Sequence, residues 1–326
     1  MTMNIAVLDD YLGVSQSVAD WTSLKARAKV TIFDRPLSVP DEAAKALAEF
    51  DIICTLRERM PIPAALINRL PRLKYIVVTG KRYDTVDVDA AARRGIAVSN
   101  TPVSGVGSGG VAELTWGVIL AVTRNIASED RLMRSGGWQH QAGTTLRGKT
   151  LGILGLGGIG RQVADIGKAF GMRLQAWSQN LTVEAARDAG VEWVSKDGLF
   201  STSDIISLHL ALSERTRGIV AARELRSMKP TAFLVNTARG ALIDECALIK
   251  VLDNKLIAGA ALDVFEHEPL PENHPFRGLS NVVITPHLGY FTRDMLGAYY
   301  KDAIELMEAF LDGDLKRVVN VSANLP

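Results

Sequence analysis

Cysteine is scarce: the 326 residues contain two, Cys54 and Cys246. Each lies in apolar surroundings, so the sequence predicts buried free thiols in a reducing compartment, not a disulfide framework. There is no Cys-x-x-Cys and no His-Glu-x-x-His, and no metal site is expected. No apolar run reaches the roughly 18 residues that suggest a membrane span. The start, Met1-Thr-Met-Asn-Ile, has neither the basic stretch nor the cleavage site of a signal peptide. Together these absences predict a cytoplasmic protein. Net charge is nearly absent too, at +1, so nothing attracts nucleic acid or an anionic membrane surface. What remains is apolar bulk, 47% of a chain long enough for two domains, and so an ample core.

The most informative stretch is Thr150-Leu-Gly-Ile-Leu-Gly155-Leu-Gly157-Gly158-Ile159-Gly160-Arg161. The apolar residues 151–154 predict a buried strand, and 159–170 predict a helix. Between them stands Gly-x-Gly-x-x-Gly in the strand–turn–helix context of a dinucleotide fingerprint. Gly155 permits the tight turn, Gly157 the approach of a pyrophosphate, and Gly160 the packing of helix on strand. The amides of Gly158, Ile159 and Gly160 open the helix and face the phosphates. The second strand ends Ala176-Trp177-Ser178-Gln179-Asn180. It lacks the acid that usually binds the ribose hydroxyls, and no Arg or Lys follows before Arg187 to meet a 2′-phosphate. A neutral pocket at Ser178 accepts either cofactor. The missing cation favours NAD and leaves NADP possible.

On either side of this motif, apolar strands alternate with short helices, which predicts parallel sheets covered on both faces. In the first part, strands are predicted at 4–8, 30–33, 51–54, 75–78 and 96–98, with helices at 18–28, 41–49, 63–68 and 88–94. After a glycine-rich turn at 105–110, residues 111–126 predict a buried linking helix. Residues 127–148 read as an irregular polar arm. From 150 a second alternation predicts seven strands, ending at 282–285, and a last helix at about 291–312 returns to the first part. The reading is α/β with two doubly wound domains: residues 1–99 plus 291–326, and residues 100–290.

Chemistry gathers at predicted strand ends. Arg239 follows the strand Phe233-Leu-Val-Asn236, and a guanidinium there can grip a carboxylate with two hydrogen bonds. Asp263 and Glu268 follow a second strand. His287 follows a third, beside Gly289. His209 ends another and either lines the cofactor cleft or packs. His140 lies in the arm, and His267 and His274 lie in a proline-rich loop where solvation is expected. Hydride transfer to a keto carbonyl needs a proton donor, which histidine supplies near neutral pH. A neighbouring carboxylate would orient the ring and favour its protonated form. A cation would hold the substrate and polarise the carbonyl.

Taken together, Asp84-Thr-Val-Asp87, Val111-Ala-Glu113, the glycine motif, Asn236-Thr-Ala-Arg239-Gly240, Leu262-Asp-Val-Phe265, Glu268-Pro269 and Pro286-His287 resemble the D-2-hydroxyacid dehydrogenase family, the phosphoglycerate dehydrogenase-like group. The resemblance spans nearly the whole chain. It implies a Rossmann NAD(P)-binding domain inserted into a flavodoxin-like substrate domain. It also implies interconversion of a 2-keto acid and a D-2-hydroxy acid, with Arg239 as anchor, His287 as acid/base and Glu268 as its partner. Asp263 would contact the nicotinamide amide, and Thr237 and Gly289 would line the cofactor. The family is typically dimeric, and a homodimer joined through the 127–148 arm is expected. Backbone amides of the loop before Asp84 would bind the substrate carboxylate. Here that loop carries Arg82 and Tyr83, with Arg82 standing where a small residue is common. Arg57 either reaches the substrate or is solvated. Tyr290 replaces a frequent second glycine after His287. Two other classes compete. An NAD(H)-sensing, non-catalytic protein of corepressor type could retain the triad, though no recognition tail or basic patch is present. A methyltransferase leaves the Arg, Glu and His at successive strand ends unexplained.

Overall fold

The computed structural model describes residues 2–102 and 109–320. The chain divides into two compact units, Met1–Gly107 with Thr292–Pro326, and Ser108–Phe291.

The first unit runs β1 (Met3–Val7), α1 (Ser15–Val18), α2 (Thr22–Arg27), β2 (Ala28–Ile32), α3 (Pro40–Leu47), β3 (Ile52–Thr55), α4 (Ala64–Ile67), β4 (Tyr75–Val78), α5 (Val88–Arg93) and β5 (Ala97–Asn100). Its five strands are all parallel, in the order β2-β1-β3-β4-β5. Every residue of β3, β4 and β5 is buried. A strand covered on both faces has no use for polar alternation, which is why these segments read as continuous apolar runs.

The second unit contains α6 (Gly109–Thr123), α7 (Ile126–Arg134), β6 (Thr150–Leu154), α8 (Gly158–Ala169), β7 (Arg173–Trp177), α9 (Val183–Asp188), β8 (Glu192–Trp193), α10 (Lys196–Thr202), β9 (Ile205–Leu208), α11 (Ala222–Ser227), β10 (Phe233–Asn236), α12 (Glu245–Asp253), β11 (Gly259–Leu262) and β12 (Val282–Ile284). Its seven parallel strands are ordered β12-β11-β10-β9-β6-β7-β8. Helix α6 packs on this sheet's helix α8 through Trp116. The Trp116 indole donates to the Val163 carbonyl at 3.1 Å, and its ring stacks on Phe170 at 4.7 Å. Helix α13 (Arg293–Leu311) closes the first unit, where Phe310 stacks on Tyr75 at 4.5 Å. The fold is therefore the two-sheet α/β architecture predicted, with each expected strand present to within a few residues.

Three expectations are corrected. The single helix predicted over 18–28 is two short ones. The Asp20 carboxylate accepts the Thr22 amide at 2.9 Å, and the buried Trp21 indole donates to the Ser15 carbonyl. These local bonds hold a turn where helix was expected. The 127–148 arm is not irregular throughout. It begins with α7, and Glu129 on that helix takes the amides of His140 and Gln141, folding the following segment back. Cys246 is exposed, while Cys54 is buried. Of the predicted glycine-rich turn, residues 105–108 lie outside the described residues.

Candidate active site

The second sheet sets the site. In register across it lie Leu154, Leu208, Asn236, Leu262 and Ile284, the last residues of β6, β9, β10, β11 and β12. Parallel strands end on one edge, so the loops that follow all open there. Strand order reverses between β6 and β9, and ligands of doubly wound sheets bind at such a switch point. At about 4.8 Å per strand, the edge from β6 to β12 spans roughly 19 Å.

At one side is the glycine turn. Gly155 has φ +106°, and a Cβ there would sit 2.9 Å from the His209 carbonyl group. A Cβ on Gly160 would lie 2.1 Å from the Gly155 oxygen. Both positions exclude any side chain. Gly157 differs: nothing lies within 4 Å of its Cβ direction. That clear space lies at the N-terminus of α8, whose first amides have no partner within the helix. The turn has room for a pyrophosphate, which Gly157, Gly158, Ile159 and Gly160 would hold. Ser178 follows β7, with exposed Gln179 and Asn180 behind it, so no acid or base marks the ribose end. His209 is part-buried beside the turn, its Nε2 2.8 Å from Ser207 Oγ. Burial pushes its pKa down to about 4, so it is neutral near pH 7.

At the other side are Arg239, Glu268 and His287. His287 Nδ1 lies 2.6 Å from Glu268 Oε2, and both side chains keep partial exposure. Glu268 Oε1 accepts the Phe265 amide at 3.0 Å. Burial acts to raise the Glu268 carboxyl. The hydrogen bond and charge of His287, the Phe265 amide and the Arg239 charge outweigh it and hold Glu268 below its ordinary value. With Nδ1 engaged, His287 presents Nε2 on the opposite side of its ring. Arg239 is half-buried, its Nη1 donating to the Ala238 carbonyl at 2.7 Å.

The loops are held from beneath. Asp263 is fully buried, and its carboxylate accepts Thr285 Oγ1 at 2.6 Å, Leu288 N at 2.7 Å and Gly289 N at 2.9 Å. These bonds work to lower its pKa, but burial prevails and raises it. The structure thus engages Asp263 in shaping the His287 loop, where the resemblance implies a nicotinamide contact. Thr237 is likewise engaged, its hydroxyl 2.7 Å from Thr115 on α6. Gly289 lies directly against Asp263.

Sequence reasoning gave Asn236 no role. Its amide donates to the Arg239 carbonyl and its oxygen accepts the Ala238 amide, so it closes the loop that presents Arg239. The Asn-Thr-Ala-Arg spacing, an Asx-type turn, was the signal. Tyr290 was noted only as a departure, yet its ring meets His287 edge-on at 5.4 Å. His274, expected to be solvated, is nearly enclosed and bonded to Glu245.

Arg57, Arg82 and Tyr83 belong to the first unit. Arg57 has φ +57°, and its Nη1 donates to Tyr299 OH at 2.9 Å. Arg82 pairs with Asp84 at 2.6 Å and Glu58 at 3.5 Å. Tyr83 packs on the first core. Among the described residues, no group of three or more His, Cys, Asp or Glu could hold a metal, and no helix is long and apolar enough to cross a membrane.

Comparison with known proteins bears on this site. Residues 116–289 match the model of the NAD binding domain of D-isomer specific 2-hydroxyacid dehydrogenases. A glyoxylate reductase of Aeropyrum pernix is 42% identical over 294 residues, 87% of each chain. The crystal structure of a phosphoglycerate oxidoreductase from Vibrio cholerae superposes with TM-score 0.90 at 36% identity, covering 96% of this chain and 100% of that one. An acyclic imino acid reductase in complex with NADPH and D-Arg gives TM-score 0.75 at 30% identity, covering 97% and 100%. The glycine turn, the five strand ends in register and this agreement in sequence and structure lead to one conclusion: the chain belongs to the D-isomer specific 2-hydroxyacid dehydrogenase family and is an NAD-dependent oxidoreductase of 2-hydroxy acids.

Proposed function

We propose that His287 exchanges the proton of the reaction, with Glu268 orienting it and Arg239 holding the substrate carboxylate. The observation that carries this reading is the 2.6 Å contact between His287 Nδ1 and Glu268 Oε2. When bound, the nicotinamide supplies the hydride to the keto carbon or takes it back. His287 Nε2 then delivers a proton to the oxygen as the carbonyl π pair moves onto it, and recovers that proton in the reverse direction. Glu268 fixes the ring by its hydrogen bond and balances the charge of the protonated imidazole. Arg239 binds the carboxylate and draws charge toward the developing alkoxide. The turn at 155–160 would hold the pyrophosphate, and Ser178 would face the ribose in a neutral setting that admits NADP beside NAD.

Small 2-keto acids are the proposed substrates, glyoxylate foremost, since that activity names the relative from Aeropyrum pernix. Arg57, Arg82 and Tyr83 are proposed to line the substrate side. The test is loss of NADH or NADPH absorbance with glyoxylate, pyruvate, hydroxypyruvate and bulkier keto acids, for wild type and for His287→Ala and Arg239→Ala. Turnover in the wild type, a fall in kcat of about 10²–10⁴-fold in His287→Ala, and a raised KM with unchanged cofactor affinity in Arg239→Ala are expected. Equal activity in all three proteins refutes the roles.

A further inference from the structure

A second histidine–glutamate pair holds the segment that carries Glu268. Glu245 is the first residue of α12. Its Oε1 is 3.0 Å from His274 Nε2, and its Oε2 accepts the Glu266 amide at 3.3 Å. Both side chains are largely enclosed, 13% exposed for His274 and 16% for Glu245. His274 Nδ1 accepts the Phe276 amide at 3.3 Å. That bond leaves the ring proton on Nε2, directed at Glu245. The imidazole also packs on Phe276 at 4.9 Å. Glu245 therefore grips both ends of the segment 266–274, and Glu268 stands inside that segment.

The same grip reaches Arg239. The chain runs from Arg239 to Glu245 in six residues, and Gly240 lies against the backbone of Phe265 and Glu266, where a Cβ would come within 2.0 Å. The Arg239 segment and the Glu268 segment are thus joined at Gly240–Phe265, at Glu245–Glu266 and at Glu245–His274. Nothing in the proton exchange itself needs Glu245 or His274.

We infer that Glu245 and His274 are positioning residues, a clamp that sets the 265–268 backbone so that Glu268 faces His287. The inference rests on the proposed role of Glu268 and His287 for its catalytic consequence, while its structural content stands apart from it. Asp244 caps α12 by accepting the Ala247 amide at 3.0 Å, so the helix keeps its start when Glu245 is changed.

The experiment compares wild type with Glu245→Ala, Glu245→Gln and His274→Ala by hydrogen exchange of the 264–276 segment, thermal midpoint, NADH affinity and the pH profile of kcat/KM. Expected are faster exchange at Phe265 and Glu266 in the two Ala variants and unchanged NADH affinity. Their kcat should fall about ten- to a hundred-fold, the cost of a misplaced catalytic group, with a displaced pH profile. Glu245→Gln has one acceptor oxygen for two donors, so it keeps one of the two contacts and should recover part of the activity. Combining Glu245→Ala with Glu268→Gln should add little to the loss from Glu268→Gln alone. Wild-type exchange at 264–276 in both Ala variants overturns the clamp. So does a loss of kcat that adds in full to that of Glu268→Gln. If the wild type turns over no keto acid, the reading of Glu268 and His287 fails, and the exchange measurement still decides whether Glu245 and His274 hold the segment.

Discussion

Asp263 and His287 are bound through both main chain and side chain: the His287 amide donates to the Asp263 carbonyl at 2.9 Å, while the Asp263 carboxylate takes the next two amides, Leu288 and Gly289. His287 itself has φ +55°. A non-glycine residue is held there only where its surroundings over-determine it, and Asp263 supplies that constraint.

Removing the constraint should therefore affect stability and chemistry together. Asp263→Ala strands the Leu288 and Gly289 amides, and each unsatisfied buried donor costs about 1–3 kcal/mol. Urea denaturation should show that loss, and kcat should fall with it as His287 leaves its place. A variant with full kcat would contradict the role given to Asp263.

The glycine turn makes a sharper distinction. Gly160→Ala puts a methyl against the Gly155 oxygen and should lower the thermal midpoint. Gly157→Ala points a methyl into open space and should leave the midpoint unchanged while weakening NADH binding, since the pyrophosphate needs that space. Calorimetry with and without NADH separates the two. Equal binding by Gly157→Ala and wild type would move the pyrophosphate elsewhere.

His209 predicts a pH dependence of stability. Its folded pKa of about 4 lies below the ordinary 6.5, so the unfolded chain binds the proton more readily. By linkage, stability is full above pH 6.5, falls as pH drops from there, and has lost this contribution below about 4. In His209→Asn the slope of unfolding free energy between pH 6.5 and 4 should flatten, as read by denaturant titration at several pH values. An unchanged slope would exclude this histidine as its source.

The two thiols should differ in reactivity. Cys54 is fully buried and its pKa is pushed up to about 12 by that burial, whereas Cys246 is exposed. A thiolate is the reacting form, so a thiol reagent at pH 8 should label one cysteine rapidly and the second only after denaturation. Fast labelling of both would show that the first core opens readily.

Helix α7 and the rest of the arm carry Ile126, Met133 and Trp138, exposed at 53%, 53% and 72%. Exposed large apolar side chains grouped on one segment mark an association surface, and we propose that they join two copies of this chain. Light scattering should give a dimer, and Trp138→Asp with Met133→Asp should shift it to monomer. A wild-type monomer would rule out this use of the arm.

Much of this was legible in the sequence because parallel strands buried on both faces must be apolar throughout. Residues 51–54, 75–78, 151–154 and 204–208 therefore announced themselves, and the strand ends of the second sheet placed Arg239, Glu268 and His287 on loops. The glycine spacing was equally local: turn, close approach and helix start lie within six residues. Tertiary structure alone decided how side chains far apart in sequence are shared. Asp263 is engaged by a loop 22–26 residues further on, and His274, in a loop that reads as solvated, is enclosed by Glu245 29 residues away. The exposure of Cys246 was settled the same way, because burial and long-range hydrogen-bond partners belong to the packed arrangement, and residue type and periodicity fix only which local conformation is favourable.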